Sequence, residues 1–190
     1  MTIFGGEEAL FTRLRKYKDK QAFIEAYNLY IDQIYRFVYY KVRGRETAED
    51  LTSLVFLKAW NYVYEGNLDD DQDTLKPLLY KIARNTVIDH YRKTSKQESV
   101  SLEAMVENEE NLPSQVVVDP RLKLQDGVDF RQLVEETLPQ LKDEYREIVI
   151  MRFINELSIA EIANILDKTS GNVRVLVHRS LEALRKLVKS

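Results

Sequence analysis

The 190-residue chain has no cysteine, only six glycines and four prolines, and two histidines. Without cysteine it has neither a disulfide framework nor a thiolate metal site, which suits a reducing cytoplasm. Scarce glycine and proline leave few turn formers, so a largely helical chain is expected. No apolar run approaches the roughly 18 residues that span a bilayer. The opening stretch, MTIFGGEEALFTRLRKYKDK, holds no apolar segment of signal-peptide length. A soluble, cytoplasmic protein with no direct membrane insertion is therefore expected. His90 and His178 lie far apart, each in a basic segment, and no glycine-rich phosphate loop, nucleophile elbow or metal-spaced cluster accompanies them. Asp69, Asp70, Asp71 and Asp73 form a run of carboxylates, but without the spacing and closing Glu of an EF-hand. Neither enzymatic activity nor a cofactor, metal or small-molecule substrate is expected.

What the chain does have is enough apolar content, 44%, for packed cores. Its length allows two small domains. The net charge of -3 conceals a pattern. Residues 76–97 carry a local +5, from Lys76, Lys81, Arg84, Arg92, Lys93 and Lys96 against Asp89. Residues 168–190 again carry +5. Between them, residues 98–129 carry -6. Two basic patches separated by an acidic stretch suit two points of contact with one polyanion.

Apolar and aromatic residues recur at steps of three and four through Phe23, Tyr27, Tyr30, Ile34, Phe37 and Val38, which predicts an amphipathic helix ending near Gly44. Thr47–Asp50 has capping-box spacing and predicts a second helix start, running to about Tyr64. A polar loop follows, then Pro77 at a helical first turn, ahead of a helix burying Leu79, Ile82, Ala83 and Thr86 or Val87. Residues 94–129, with Pro113 and Pro120, lack periodicity and read as a linker. Residues 130–138 and 141–153 each predict a helix. The expected fold is all-α: two small helical domains joined by a flexible acidic linker. The second is a helix-turn-helix of winged-helix-like, four-helix type without strands. The expected boundaries are 1–95, 96–129 and 130–190.

The sharpest motif is LSIAEIANILDKTSGNVRVLVHRSLEAL, residues 157–184. Ser158 and Glu161 have capping-box spacing, Ala163 is small where a second helix must cross, Asp167 and Lys168 make the turn, and Thr169 is a good N-cap. Val173, Leu176, Val177, Leu181 and Leu184 then face inward. Ser170, Asn172, Arg174, Val175, His178 and Arg179 face outward. In a helix-turn-helix the second helix enters the major groove with its N-terminal residues at the base edges. Arg174 suits two acceptors on a guanine, Arg179 a base or phosphate, and Asn172 an adenine or phosphate. In the upstream basic helix, Tyr80, Arg84, Asn85, Asp89, Arg92 and Lys93 interleave cations with an aromatic ring and amide. That pattern suits single-stranded or melting DNA.

Together these segments resemble the extracytoplasmic-function (ECF) sigma factors of bacterial RNA polymerase, over about residues 21–188. FIEAYNLYIDQIYRFVYYKV resembles the opening helix of the family's domain two. AEDLTSLVFLKAW resembles its polymerase-binding helix, and KPLLYKIARNTVIDHYRK the helix that melts and reads the -10 element. LPQLKDEYREIVIMRFINELSIAEIANILDKTSGNVRVLVHRSLEALRKLV resembles domain four, which reads the -35 element. The resemblance implies that Asp50, Ser53, Phe56 and Trp60 dock on the β′ clamp helices of core RNA polymerase. Domain four would meet the β flap. Tyr80, Arg84, Asn85, Asp89, Arg92 and Lys93 would lie at the -10 element of promoter DNA, and Ser170, Asn172, Arg174, Val175, His178 and Arg179 at the -35 element. The acidic linker would thread the polymerase cleft, and an anti-sigma factor would hold the chain inactive. The family's usual Gln and Glu in the docking helix are Ser53 and Leu54 here, and its usual Gly in the helix-turn-helix turn is Asp167. The rival reading is a stand-alone helix-turn-helix regulator that binds duplex DNA without polymerase.

Overall fold

The computed structural model describes residues 6–42, 44–68, 74–97 and 137–188. The chain divides into two compact units, residues 1–94 and 95–190. Every regular element among the described residues is helical, and none of these helices is long and apolar enough to cross a membrane. The expected linker and the helix expected over residues 130–138 lie outside the described residues, apart from the ends at 94–97 and 137–138.

The first unit comprises α1 (Glu7–Tyr17), α2 (Lys20–Val42), α3 (Arg45–Tyr64) and α4 (Lys76–Gln97). Helix α1 was not anticipated, although Leu10, Phe11 and Leu14 share one face and all three are buried. Helix α2 buries Ala22, Ala26, Tyr30, Ile34, Phe37 and Val38, at steps of three and four. It packs chiefly on α3, which presents Ala48, Leu51, Val55, Phe56, Ala59 and Val63 in return. Helix α3 starts earlier than the Thr47 box predicts. Its N-cap is Gly44, with no side-chain cap, and Thr47 lies inside the first turn. Only two residues separate α2 from α3, so the chain must re-enter helix at once.

Arg13 joins α1 to the start of α2. Its Nε and Nη2 donate to Asp19 at 2.9 and 2.7 Å, and its Nη1 donates to Glu25 at 3.0 Å. These hydrogen bonds from Arg13 are the main cause holding the Asp19 carboxyl below its ordinary range.

The second unit opens with a 3₁₀ turn (Leu138–Gln140), then α5 (Asp143–Val149), α6 (Ile159–Leu166) and α7 (Ser170–Val188). Arg146 ties the entry down: its Nε donates to the carbonyl of Leu138 and its Nη2 to those of Pro139 and Leu141. Residues 141–153 do not form one α-helix as expected. Helix α5 widens at Ile150–Ile154 into a π turn, closed by the Asn155 amide on the Ile150 carbonyl at 2.9 Å. The physical reason lies in burial. Glu147, Ile148, Val149, Ile150 and Met151 are all buried, and five successive residues at about 100° each point all round a helix. This helix therefore runs through the middle of its unit, with no solvent face to set a 3.6 stripe.

Because Asp19 has a lowered pKa when folded, its contribution is present above the ordinary aspartate value, near about 4, and is lost as pH falls through the folded value. Amide-exchange protection of α1 should therefore drop below about pH 4. Asp19→Asn should remove that step, and a drop of the same size in the variant would count against the assignment.

Candidate nucleic-acid interface

Helix α7 is aimed by two well-formed caps and a left-handed turn. The Ser158 hydroxyl accepts from the Glu161 amide at 3.1 Å, and the Ser158 amide donates to the Glu161 carboxylate at 2.7 Å, the reciprocal box the spacing predicts. Helix α6 ends at Asp167 in the left-handed conformation, φ 53° and ψ 40°. The Lys168 amide closes that turn on the Ala163 carbonyl at 3.0 Å. The Thr169 hydroxyl then accepts from the Asn172 amide at 3.2 Å and starts α7.

From there α7 buries Val173, Leu176, Val177, Ser180 and Leu184, while Leu181 is half-buried. Ser180 was not foreseen in the core; its hydroxyl is satisfied by the Leu176 carbonyl at 2.7 Å. On the other side Asn172, Arg174 and Arg179 are exposed, and Ser170, Val175 and His178 are half-buried. His178 lies 3.8 Å from Glu182, one turn on. The six residues expected to read DNA thus share the solvent side of one helix, its two arginines one and a half turns apart.

Helix α4 has a buried and a charged side. Leu79, Tyr80, Ala83, Thr86 and Val87 are buried, whereas Asn85, Asp89, Arg92 and Lys93 are exposed and Arg84 is half-buried. Tyr80 requires a correction. Its ring, expected at DNA, is 0% exposed and stands edge-on to Phe37 with centroids 5.3 Å apart. The spacing Tyr80, Ala83, Val87 is itself a core stripe, and burial of so large a ring outweighs any contact outside. Asp89 is also engaged, 4.0 Å from Lys58 of α3, whose ammonium donates to the Thr86 hydroxyl at 3.2 Å. Tyr91 donates its hydroxyl to the Lys41 carbonyl at 2.7 Å while its ring stays 47% exposed. Fifty residues of sequence separate the partners, so no local signal marks the bond.

On α3, Asp50 and Ser53 are exposed and Trp60 is half-buried between Phe23 and Tyr64. Leu54 is exposed too, so its apolar side chain is not core. Phe56, expected on the docking face, is 4% exposed and packs edge-on to Tyr27 at 4.7 Å. It supports the face from beneath. The acidic loop, residues 69–73, lies outside the described residues. Among the described residues no group of His, Asp and Glu is placed to hold a metal ion.

Residues 26–97 match the family Sigma-70 region 2, and residues 131–184 match Sigma-70, region 4. Over 176 residues the chain is 34% identical to the ECF RNA polymerase sigma factor SigW of Bacillus subtilis (strain 168), covering 90% of this chain and 91% of that protein. The ECF RNA polymerase sigma factor SigM of the same organism is 25% identical over 86% of this chain and 93% of its own length. A solved structure of the sigma factor RpoE in complex with the anti-sigma factor NepR, from Bartonella quintana, shares the fold. Its TM-score is 0.65 at 24% identity, over 89% of this chain and 98% of that one.

The aim of α7 depends on its caps. Ser158→Ala or Thr169→Ala should each destabilise the second unit by about 1 kcal/mol. Thermal unfolding measures it, and an unchanged midpoint in both variants would show that the caps contribute nothing.

Proposed function

The chain belongs to the ECF RNA polymerase sigma factors, and we propose from that footing that it docks on core polymerase through α3 and reads promoter DNA through α4 and α7. It binds core RNA polymerase and directs promoter-specific transcription initiation. The single observation that carries the reading is the solvent side of α7, where Asn172, Arg174 and Arg179 stand exposed behind a capped left-handed turn.

In the second unit, α7 lies in the major groove of the -35 element. A guanidinium donates to both acceptors of a guanine edge, and Arg174, in the second turn, is placed for that contact. Ser170 and Asn172 serve the phosphates near the helix N-terminus, where amides and the helix dipole favour anions. Arg179 and His178 follow the groove further along. In the first unit, Arg84, Asn85, Arg92 and Lys93 line α4 where the -10 element is melted. Cations there neutralise the backbone, and the Asn85 amide meets an unstacked base. Asp89 joins them once its pairing with Lys58 opens. Asp50, Ser53 and Leu54 face the β′ clamp helices, with Phe56 and Trp60 packed behind them. The domains follow as residues 1–95, a linker at 96–129, and residues 130–190, the last also meeting the β flap. An anti-sigma factor occupies these surfaces when the chain is inactive. RpoE, whose fold this chain shares, was solved with such a partner. A stand-alone regulator is disfavoured, because both sigma regions are matched in order along the chain.

Run-off transcription with core polymerase, with and without the chain, tests the reading. A promoter-specific transcript should appear only with the chain present; tight duplex binding by the chain alone with no transcript would overturn it. Arg174→Ala should cost about 1–3 kcal/mol of discrimination between -35 sequences. Unchanged promoter selectivity in that variant would place the recognition register elsewhere. Asp50→Ala should weaken binding to core polymerase without changing the fold. A pull-down of the chain from its source cell should return a small anti-sigma protein beside polymerase; polymerase subunits alone would argue against one.

A further inference from the structure

Asp89 is the only acid in α4, beside six cations, and it stands on the exposed side of the helix. A carboxylate there repels the phosphates that the cations attract. Its ion pair runs across to α3. Lys58 Nζ lies 4.0 Å from Asp89 Oδ2, and the two side chains are 42% and 53% exposed. At that distance the groups attract one another without forming a hydrogen bond. The same ammonium donates to the Thr86 hydroxyl at 3.2 Å, and Thr86 is buried. Lys58 is therefore anchored on its inner side and loosely held on its outer one. Asn85, Arg92 and Lys93 are exposed and stand four before, three after and four after Asp89, so they are its neighbours on the helix surface. The Lys58 ammonium thus reaches the rim of the cationic side from a different helix. A strut between α3 and α4 is the plainer use of the pair. The Thr86 hydrogen bond already supplies that tie, however, and an unbonded pair half in water stabilises little.

We propose that Lys58 is a contact for the backbone phosphate of the melted strand, and that Asp89 occupies it as a competitor in the free chain. The inference rests on the reading of α4 given above and adds to it a residue of α3. A phosphate oxygen is anionic like the carboxylate, but the strand is free to bring it within about 2.7–2.9 Å of an ammonium. Asp89, fixed to its helix, stays at 4.0 Å. A phosphate therefore displaces the weaker partner. The released carboxylate is then an acceptor among donors, facing the strand. A base that presents an amine, N6 of adenine or N4 of cytosine, satisfies it. A strand without such a base at that place leaves the carboxylate beside phosphates with nothing to accept from. The pair thus weakens binding to every strand, and the right base restores it, which is discrimination by a repulsive element.

The test measures binding of the full chain, assembled with core polymerase, to two single-stranded oligonucleotides over a range of salt. One carries the -10 element of a promoter found by run-off transcription, and the other carries the same bases scrambled. Lys58→Met should weaken both strands alike. It should also lower the slope of log affinity against log salt by about 0.7, the share of one phosphate in a single strand. Its thermal midpoint should barely move, because the Thr86 hydroxyl can return to the carbonyl one turn back. Asp89→Ala should act in the opposite direction on the scrambled strand, tightening it by roughly threefold, the scale of one exposed ion pair. The preference for the promoter strand should shrink accordingly. If the salt slope of Lys58→Met is unchanged while Lys93→Ala still lowers it, Lys58 touches no phosphate; the inference is then wrong and the reading of α4 stands. If Asp89→Ala weakens both strands equally, the acid is a strut and the exchange is wrong. If the unaltered chain does not distinguish the two strands, the reading of α4 itself fails, and this inference with it.

Discussion

The edge-on contact between Phe37 and Tyr80 is the point about which the first unit is organised. It fixes which side of α4 turns inward. Once Tyr80 is buried, Leu79, Ala83, Thr86 and Val87 must follow it into the core, and Asn85, Arg92 and Lys93 must face out. Two further ties keep the helix from rolling: Lys58 to Thr86, and Tyr91 to the Lys41 carbonyl. Each joins α4 to a different neighbour. The direction of the cationic surface thus follows from the packing of the opposite side of the helix. Burying a large side chain contributes about 1.5–3 kcal/mol, more than an exposed ion pair supplies.

The second unit solves the same problem by another route. Its central helix is enclosed from Glu147 to Met151 and carries no exterior of its own there. The neighbouring helices close around it, and α7 lays Val173, Leu176, Val177 and Leu184 inward. The direction of α7 is then settled by the box at Ser158, the left-handed Asp167 and the cap at Thr169. Aspartate is a tolerable choice at Asp167 because its short polar side chain suits that conformation better than most. Glu156, also left-handed at φ 56°, is the less comfortable residue.

Much of this was legible from residue spacing. The stripe of α2, the end of α3 and every cap around α6 and α7 fall where local chemistry puts them, since a capping box or an apolar period is decided by near neighbours. The misreadings share a cause in distance. Tyr80 sits among basic residues and looks like a DNA contact, yet its fate is set by Phe37, far earlier in the chain. Phe56 is drawn inward by Tyr27 in the same way. The start of α3 at Gly44 is set by the short connection from α2, which overrides the weaker signal at Thr47. Residues 148–151 read Ile-Val-Ile-Met, a run with no polar interruption, so periodicity had nothing to report and the π turn stayed hidden. Helix α1 shows the converse: its Leu10, Phe11 and Leu14 carry a legible period, in a segment too short for the pattern to stand out.

The separation of duties within α7 has an evolutionary consequence. Its inward residues carry the fold, and its outward ones touch little of the protein's interior. Exchanges at exposed positions generally alter stability by no more than about 0.5 kcal/mol. On the proposed reading of α7, a lineage can therefore drift through Asn172, Arg174 and Arg179 toward new operator preferences without first accumulating compensating changes in the interior. After gene duplication, two copies of such a chain can part ways in the genes they govern while remaining nearly identical in how they fold.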